Sequence, residues 1–91
     1  MIRLNCVISV KEENYSKVLE AAKRLTEASL NQNGCMSYDI FESATRPDVL
    51  MICETWADQS SLDAHSRSDV FHKEVSIIDT YAELKLESFY F

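Results

Sequence analysis

The chain has 91 residues, of which 46% are apolar and 26% are charged, so it is long enough for one globular domain, residues 1–91, and too short for two. Nine basic and 15 acidic residues give a net charge of −6. Such a chain lacks the positive surface that binds nucleic acids and anionic membranes, and no apolar run approaches the roughly 20 residues of a membrane-spanning helix. We therefore expect neither nucleic acid nor a membrane as a partner.

The cysteines and the N-terminal residues indicate the compartment. The chain has three cysteines, Cys6, Cys35 and Cys53, and no two of them have C-x-x-C spacing. Because their number is odd, we expect reduced thiols rather than a disulfide framework. The N-terminal residues lack the apolar stretch and small-residue cleavage site of a signal peptide. Both features predict a cytoplasmic protein.

The first third of the chain predicts a strand followed by a helix. Residues 2–10 alternate between apolar and polar side chains, which is typical of a half-buried strand. Apolar residues then recur every three or four positions from Tyr15 to Leu25, which predicts an amphipathic helix with Asn14 available as its N-cap. We expect this helix to end near residues 31–34, where Gly34 suits a left-handed cap.

The middle of the chain predicts two strands. Residues 35–42 alternate, and a turn marked by Pro47 separates them from residues 49–56. Residues 49–53 are apolar at every position, so we expect the second of these strands near the centre of the sheet.

The last third predicts two helical segments and a final strand. A short helix begins at Asp58 or Ser60, and residues 66–69 interrupt it and offer a new N-cap. A second helical stretch covers residues 70–81, and an alternating strand covers residues 83–91.

The order β-α-β-β-α-β is that of the α+β ferredoxin-like fold, a four-stranded antiparallel sheet with helices on one face. The other face would be uncovered in a monomer. We expect it to be more apolar than a single soluble domain usually exposes, and we assign to it Val7, Phe41, Ile52, Phe89 and Phe91. We therefore predict a homodimer whose sheets face each other, with residues 89–91 at the interface.

Four short motifs carry a resemblance that runs over nearly the whole chain. They are Gly34-Cys35-x-x-Tyr38, Glu54-Thr55-Trp56, Leu62-x-x-His65 and Ser68-Asp69-Val70-Phe71. In this order they resemble the antibiotic biosynthesis monooxygenase (ABM) superfamily, which includes the small quinol monooxygenases.

The resemblance implies a dimeric α+β barrel with one pocket per subunit, between the sheet and the helices. It implies a cofactor-independent monooxygenase that oxidises a small phenolic or quinol compound with molecular oxygen (O2), using neither flavin nor metal. The phenol loses a proton, its anion gives an electron to oxygen, and the radical pair recombines. The alternatives are an isomerase and a non-catalytic small-ligand-binding dimer on the same fold.

Five residues are candidates for this pocket. We predict His65 as the base that accepts the phenolic proton, the alternative being a ring that bonds the backbone at the helix break. Asn5 is the second catalytic candidate, because similar heme-degrading members place an asparagine on the first strand; alternatively it is a polar residue on the barrel side or the rim of the sheet. Trp56, Phe71 and Tyr38 are candidates for substrate binding, and the alternative for each is a structural residue that fills the core.

The sequence offers little support for a metal or cofactor site. The histidines, carboxylates and cysteines have no ligand spacing. The iron-binding histidine of the heme-degrading members would align near Val75, which cannot ligate iron. We expect Glu54 to be an ion-pair or cap partner, or else a buried base. We expect Cys6 and Cys53 to be small core residues rather than a redox pair on neighbouring strands.

Overall fold

The computed structural model describes all 91 residues and has the predicted ferredoxin-like architecture. The elements are β1 (Ile2–Val10), α1 (Tyr15–Ser29), β2 (Cys35–Glu42), β3 (Val49–Trp56), α2 (Gln59–Ser66), α3 (Asp69–Tyr81) and β4 (Ala82–Tyr90). The four strands form one antiparallel sheet in the order β2-β3-β1-β4. The two helical segments predicted in the last third of the chain are α2 and α3.

The starts of α2 and α3 are fixed by side-chain caps, as the sequence predicted. The Asp58 carboxylate accepts a hydrogen bond from the backbone N–H of Ser61 at 2.8 Å, and the Ser68 hydroxyl accepts one from the N–H of Phe71 at 3.3 Å. Each cap satisfies a backbone donor that the first helical turn leaves unpaired. Asn14 precedes α1 as the last residue of a 3-10 turn, Glu12–Asn14, and its side chain does not cap the helix.

Gly34 has a different role from the one expected. Helix α1 already ends at Ser29, so Gly34 does not cap it; it adopts a φ of 78° in the turn that leads into β2. A Cβ at this position would overlap the side chain of Ser61 on α2. The carbonyl of Gly34 also accepts a hydrogen bond from the N–H of Ala57 at 2.8 Å. The absence of a side chain therefore lets the α1–β2 loop contact the start of α2.

The core lies between the sheet and the helices. β3 occupies an inner position in the sheet, as predicted, and alternate residues point to the helices. Ile52 is one of these inward residues and is only 3% exposed. Its assignment to the uncovered face was therefore wrong, because the period of two places it with Leu50 and Trp56.

β2 departs from strict alternation at its start. The pairing with β3 shifts between Cys35 and Ser37, so that Cys35 lies opposite Trp56 and packs against the core. Met36 is left 60% exposed. A β-bulge of this kind changes which residues face inward, and the sequence pattern did not indicate it.

Strand β4 forms an edge of the sheet that the helices leave uncovered. Leu84 lies opposite Ile8 of β1 and Leu86 lies opposite Cys6, so both leucines are on the helix side of the sheet. They are nevertheless 36% and 60% exposed. The space between sheet and helices is therefore open along β4. None of the helices combines the length and the hydropathy needed to cross a membrane.

Candidate functional site

A cavity of about 210 Å³ lies between the inner face of the sheet and the three helices. Most of its walls are hydrophobic. The sheet contributes Leu4, Cys6, Ile8 and Ile52, and the helices contribute Leu25, Leu62, Phe71, Val75 and Ile78. An apolar cavity of roughly 150 Å³ is enough to hold benzene, so this one has room for a single substituted ring. Leu84 and Leu86 also line it, and their exposure places its mouth along β4.

His65 is the buried polar group at the inner end of this cavity. His65 is 2% exposed, and its Nδ1 lies 2.6 Å from the side-chain oxygen of Gln32. Its Nε2 is buried and has no hydrogen-bond partner. Burial disfavours the charged ring and lowers the pKa of His65 to about 4. The imidazole is therefore neutral at pH 7, with one nitrogen free to bond a ligand.

Three aromatic rings surround the imidazole. Trp56 packs against it in a tilted stack with ring centroids 4.5 Å apart, while Tyr38 and Phe71 meet it edge-on at 5.6 Å and 5.1 Å. These rings exclude water and hold the imidazole in one orientation. The hydroxyl of Ser68 bonds the backbone carbonyl of His65 at 2.6 Å, so the helix break is closed by serine rather than by the histidine ring.

Glu54 is the second buried ionisable group in the cavity. One of its oxygens, Oε1, accepts a hydrogen bond from the indole N–H of Trp56 at 3.0 Å and lies 3.9 Å from Nε2 of His65. Burial raises the pKa of Glu54, while the bonds from Trp56 and from the Tyr38 hydroxyl counteract this by favouring the carboxylate. Burial and the Glu54 charge together raise the pKa of the Cys6 thiol to about 11. The thiol is therefore protonated at pH 7.

The structure brings three of the five predicted residues to the cavity. His65, Phe71 and Tyr38 line it. Trp56 is fully buried behind His65 and orients the ring without forming a wall of the cavity. Asn5 lies on the opposite face of the sheet, because neighbouring residues of a strand point to opposite sides and Leu4 and Cys6 point inward.

Asn5 is therefore not brought together with His65. It pairs across the sheet with Cys53 and Glu87, and its side-chain oxygen is buried without a partner. Cys53 shares this outer face, whereas Cys6 lines the cavity, so these two thiols are on opposite sides of the sheet.

Two residues of the site, Glu54 and Gln32, were not among the five predicted ones. Glu54 occupies an inward position of β3, between Ile52 and Trp56. Because carboxylates are rarely buried, a glutamate at an inward position of an alternating strand already indicates a functional residue. Gln32 lies in the loop after α1 and has no periodic pattern. Only the contact between this loop and α2 brings its side chain to His65.

Comparison with known proteins identifies the family of this chain. The sequence model of the antibiotic biosynthesis monooxygenase family matches residues 1–75. The chain belongs to this family.

Several relatives share most of the chain. One relative is a conserved protein of unknown function from Bacteroides thetaiotaomicron, whose crystal structure is described as that of a possible oxidoreductase. The two sequences are 52% identical, and the structures superpose with a TM-score of 0.97 over 99% of this chain and 96% of the other. "Putative monooxygenase YcnE" of Bacillus subtilis (strain 168) is 30% identical over 78% of this chain and 75% of its own length. An uncharacterized protein of Synechocystis, sll1783, is 26% identical over 87% of this chain, which spans 56% of that protein.

Proposed function

We propose that the protein is a cofactor-independent monooxygenase that oxidises a small phenolic or quinol compound with O2. The observation that carries the proposal is a neutral, buried imidazole at the end of an apolar cavity, with an Nε2 that has no partner. A phenolic O–H placed against this nitrogen would supply the missing hydrogen bond. The apolar walls exclude water from a reaction whose intermediates water would quench.

The reaction balances without a further reductant. The phenol gives one electron to O2 and its proton to His65, and the resulting phenoxyl and superoxide radicals combine into a C–O bond. The peroxide anion formed in this way takes the proton back from His65, which restores the neutral imidazole. The hydroperoxide then loses water as its ring C–H proton leaves. A phenol with a free para position thus becomes a quinone, with one oxygen atom of O2 in the product and the other in water.

The pKa of His65 determines the order of events. Phenols lose their proton with a pKa of about 10, whereas burial lowers the pKa of His65 to about 4. The difference of about six units corresponds to roughly 8 kcal/mol against prior ionisation. Loss of an electron makes the phenolic proton far more acidic, so we expect the proton to reach His65 as the electron leaves rather than before it.

Glu54 assists this step. Proton transfer converts His65 into an imidazolium whose Nε2 lies 3.9 Å from Oε1 of Glu54. At an effective dielectric constant of about 20, two opposite charges at this distance attract each other by about 4 kcal/mol. An ionised Glu54 would therefore favour the imidazolium that proton transfer forms.

A homodimer forms the second part of the proposal. The sheet face opposite the helices exposes Phe41 by 49% and Phe89 by 43%, and Val7 and Met51 lie on the same face. The buried side-chain oxygen of Asn5 on this face lacks a donor. A second copy packed sheet to sheet would cover the apolar residues. Analytical ultracentrifugation should give twice the mass of one chain, and a monomer at micromolar concentration would contradict this part.

Oxygen uptake by metal-stripped protein across a panel of single-ring and bicyclic quinols tests the activity. We expect uptake with at least one quinol and a loss of about 100-fold or more in His65→Ala, since general-base catalysis contributes about 10²–10⁴. His72→Ala is the matched control, because His72 is an exposed histidine on α3 outside the cavity. Uptake that His65→Ala leaves unchanged would refute the role of His65.

An isomerase is the second candidate. The 3.9 Å approach of His65 and Glu54 favours it, because two ionisable groups in one cavity can remove and return a proton. An isomerase turns over without O2, so an anaerobic reaction separates the two candidates.

A non-catalytic ligand-binding dimer would form no product. At a ligand concentration of 100 times the Kd, its free energy of unfolding would instead rise by about 2.7 kcal/mol.

A further inference from the structure

We propose that Gln32 is a positioning residue that fixes the tautomer of His65, keeping the proton on Nδ1 and the lone pair on Nε2. The inference deepens the proposed function and rests on it for its catalytic meaning. The hydrogen-bond geometry on which it stands is independent of which reaction the cavity carries out.

The partners of the two ring nitrogens define the tautomer. Nδ1 lies 2.6 Å from Oε1 of Gln32, and an amide oxygen can only accept a hydrogen bond. Nδ1 must therefore carry the proton. In a neutral imidazole the other nitrogen is then an acceptor, and Nε2 is buried with no donor near it. The acceptor nitrogen is the one on the side of Glu54, which lines the cavity.

This tautomer is the less common one in a free histidine side chain, where the proton prefers Nε2. With the proton on Nε2, His65 would present a donor to the cavity and could not remove a phenolic proton. The contact with Gln32 therefore decides whether His65 is a base or a hydrogen-bond donor toward the substrate. Once His65 is protonated, its Nδ1–H bond to Gln32 also becomes charge-assisted and stronger.

The loop that carries Gln32 is held firmly in place. The backbone N–H of Gln32 donates to the carbonyl of Ser29 at 3.0 Å, and its carbonyl accepts from the N–H of Cys35 at 3.2 Å. Two residues later, Gly34 contacts Ser61, which lies one helical turn before His65 on α2. Gln32 and His65 are thus positioned by the same loop–helix contact.

Gln32 also separates two environments. A polar hollow on the outside of His65 is lined by Gln32, Asn31, Asn33, Ser60 and Ser61, whereas the cavity on the inside is apolar. Water in the hollow would compete for Nδ1. The amide oxygen of Gln32 occupies the place next to Nδ1 that such a water would take. Because this oxygen can only accept a hydrogen bond, the proton stays on Nδ1 even though solvent is near.

The test is the nitrogen NMR spectrum of the His65 ring in full-length protein with labelled histidine at pH 7. The spectrum distinguishes a nitrogen that carries a proton from one that carries a lone pair. We expect Nδ1–H in the wild type. In Gln32→Leu the ratio of Nδ1–H to Nε2–H should fall by about fivefold, the factor that one ordinary hydrogen bond supports. Gln32→Glu should restore Nδ1–H and raise the pKa of His65, because a carboxylate accepts the same bond and adds a negative charge.

Asn33→Ala is the control, since Asn33 lines the same polar hollow without bonding His65. A wild-type ring with its proton on Nε2 would overturn the inference, as would a Gln32→Leu spectrum identical to that of the wild type. The quinol oxidation rate of Gln32→Leu should fall with the Nδ1–H fraction. An absence of quinol oxidation in the wild type refutes the proposed function, whereas the tautomer spectra test Gln32 whether or not oxidation occurs.

Discussion

The buried neutral state of His65 predicts an acid-sensitive contribution to stability. The pKa of this ring falls from its ordinary 6.5 to about 4 on folding. Between these two pH values the unfolded chain binds a proton that the folded chain does not, so stability falls as the pH is lowered. The contribution is fully present above pH 6.5 and is lost progressively down to pH 4.

The magnitude follows from the size of the pKa change. A difference of about 2.5 units corresponds to about 3 kcal/mol at pH 4. The ring is only 2% exposed, so solvent screening removes little of this. Other ionisable groups also affect the pH dependence of stability, among them Glu54, whose raised pKa acts in the opposite direction. The informative quantity is therefore the difference between the wild type and His65→Gln, which lacks the titrating ring.

Chemical unfolding monitored by circular dichroism at pH 7, 6, 5 and 4 measures this difference. The single tryptophan, Trp56, packs against His65 and gives a second signal. The wild type should lose about 3 kcal/mol more than His65→Gln between pH 7 and pH 4, at one fixed protein concentration. His72→Gln should behave like the wild type. Parallel curves for the wild type and His65→Gln would refute the buried neutral imidazole.

Three further predictions concern the surroundings of His65. Glu54→Gln should lower the pKa of Cys6 from about 11, because it removes the nearby negative charge. The alkylation rate of the Cys6 thiol, measured as a function of pH, should then be higher than in the wild type near pH 9. Trp56→Phe should destabilise the protein by about 1–3 kcal/mol in urea unfolding, since the buried Glu54 oxygen loses its indole donor. Gly34→Ala should lower the free energy of unfolding by at least about 1–3 kcal/mol, because alanine at this position would have a positive φ and its Cβ would overlap the side chain of Ser61. Unchanged stability would contradict the close approach of this loop to α2.

Much of the fold could be predicted from local patterns. The period of two in β1 and the period of three to four in α1 define the elements because both are repeated over many residues. The caps at Asp58 and Ser68 were visible as polar residues before helical runs. The motif that ends in His65 indicated the residue that the structure places in the cavity.

Two features were not predicted because a contact between distant segments overrides the local pattern. The bulge after Cys35 and the loop contact of Gly34 both depend on tertiary packing. The position of Asn5 is a different case, because the alternation of β1 already places it on the face opposite Leu4 and Cys6. A pocket between the sheet and the helices must be lined by the inward face, so the sequence alone held the information that separates Asn5 from it.

The proposed oxygenase chemistry is tested most directly by following isotopically labelled oxygen gas into the product. Metal-stripped protein, a quinol with a free ring position and labelled O2 in unlabelled water should yield a quinone that contains one labelled atom, at a rate that depends on His65. A product that takes its new oxygen from water, or one that forms equally fast without O2, would contradict the account.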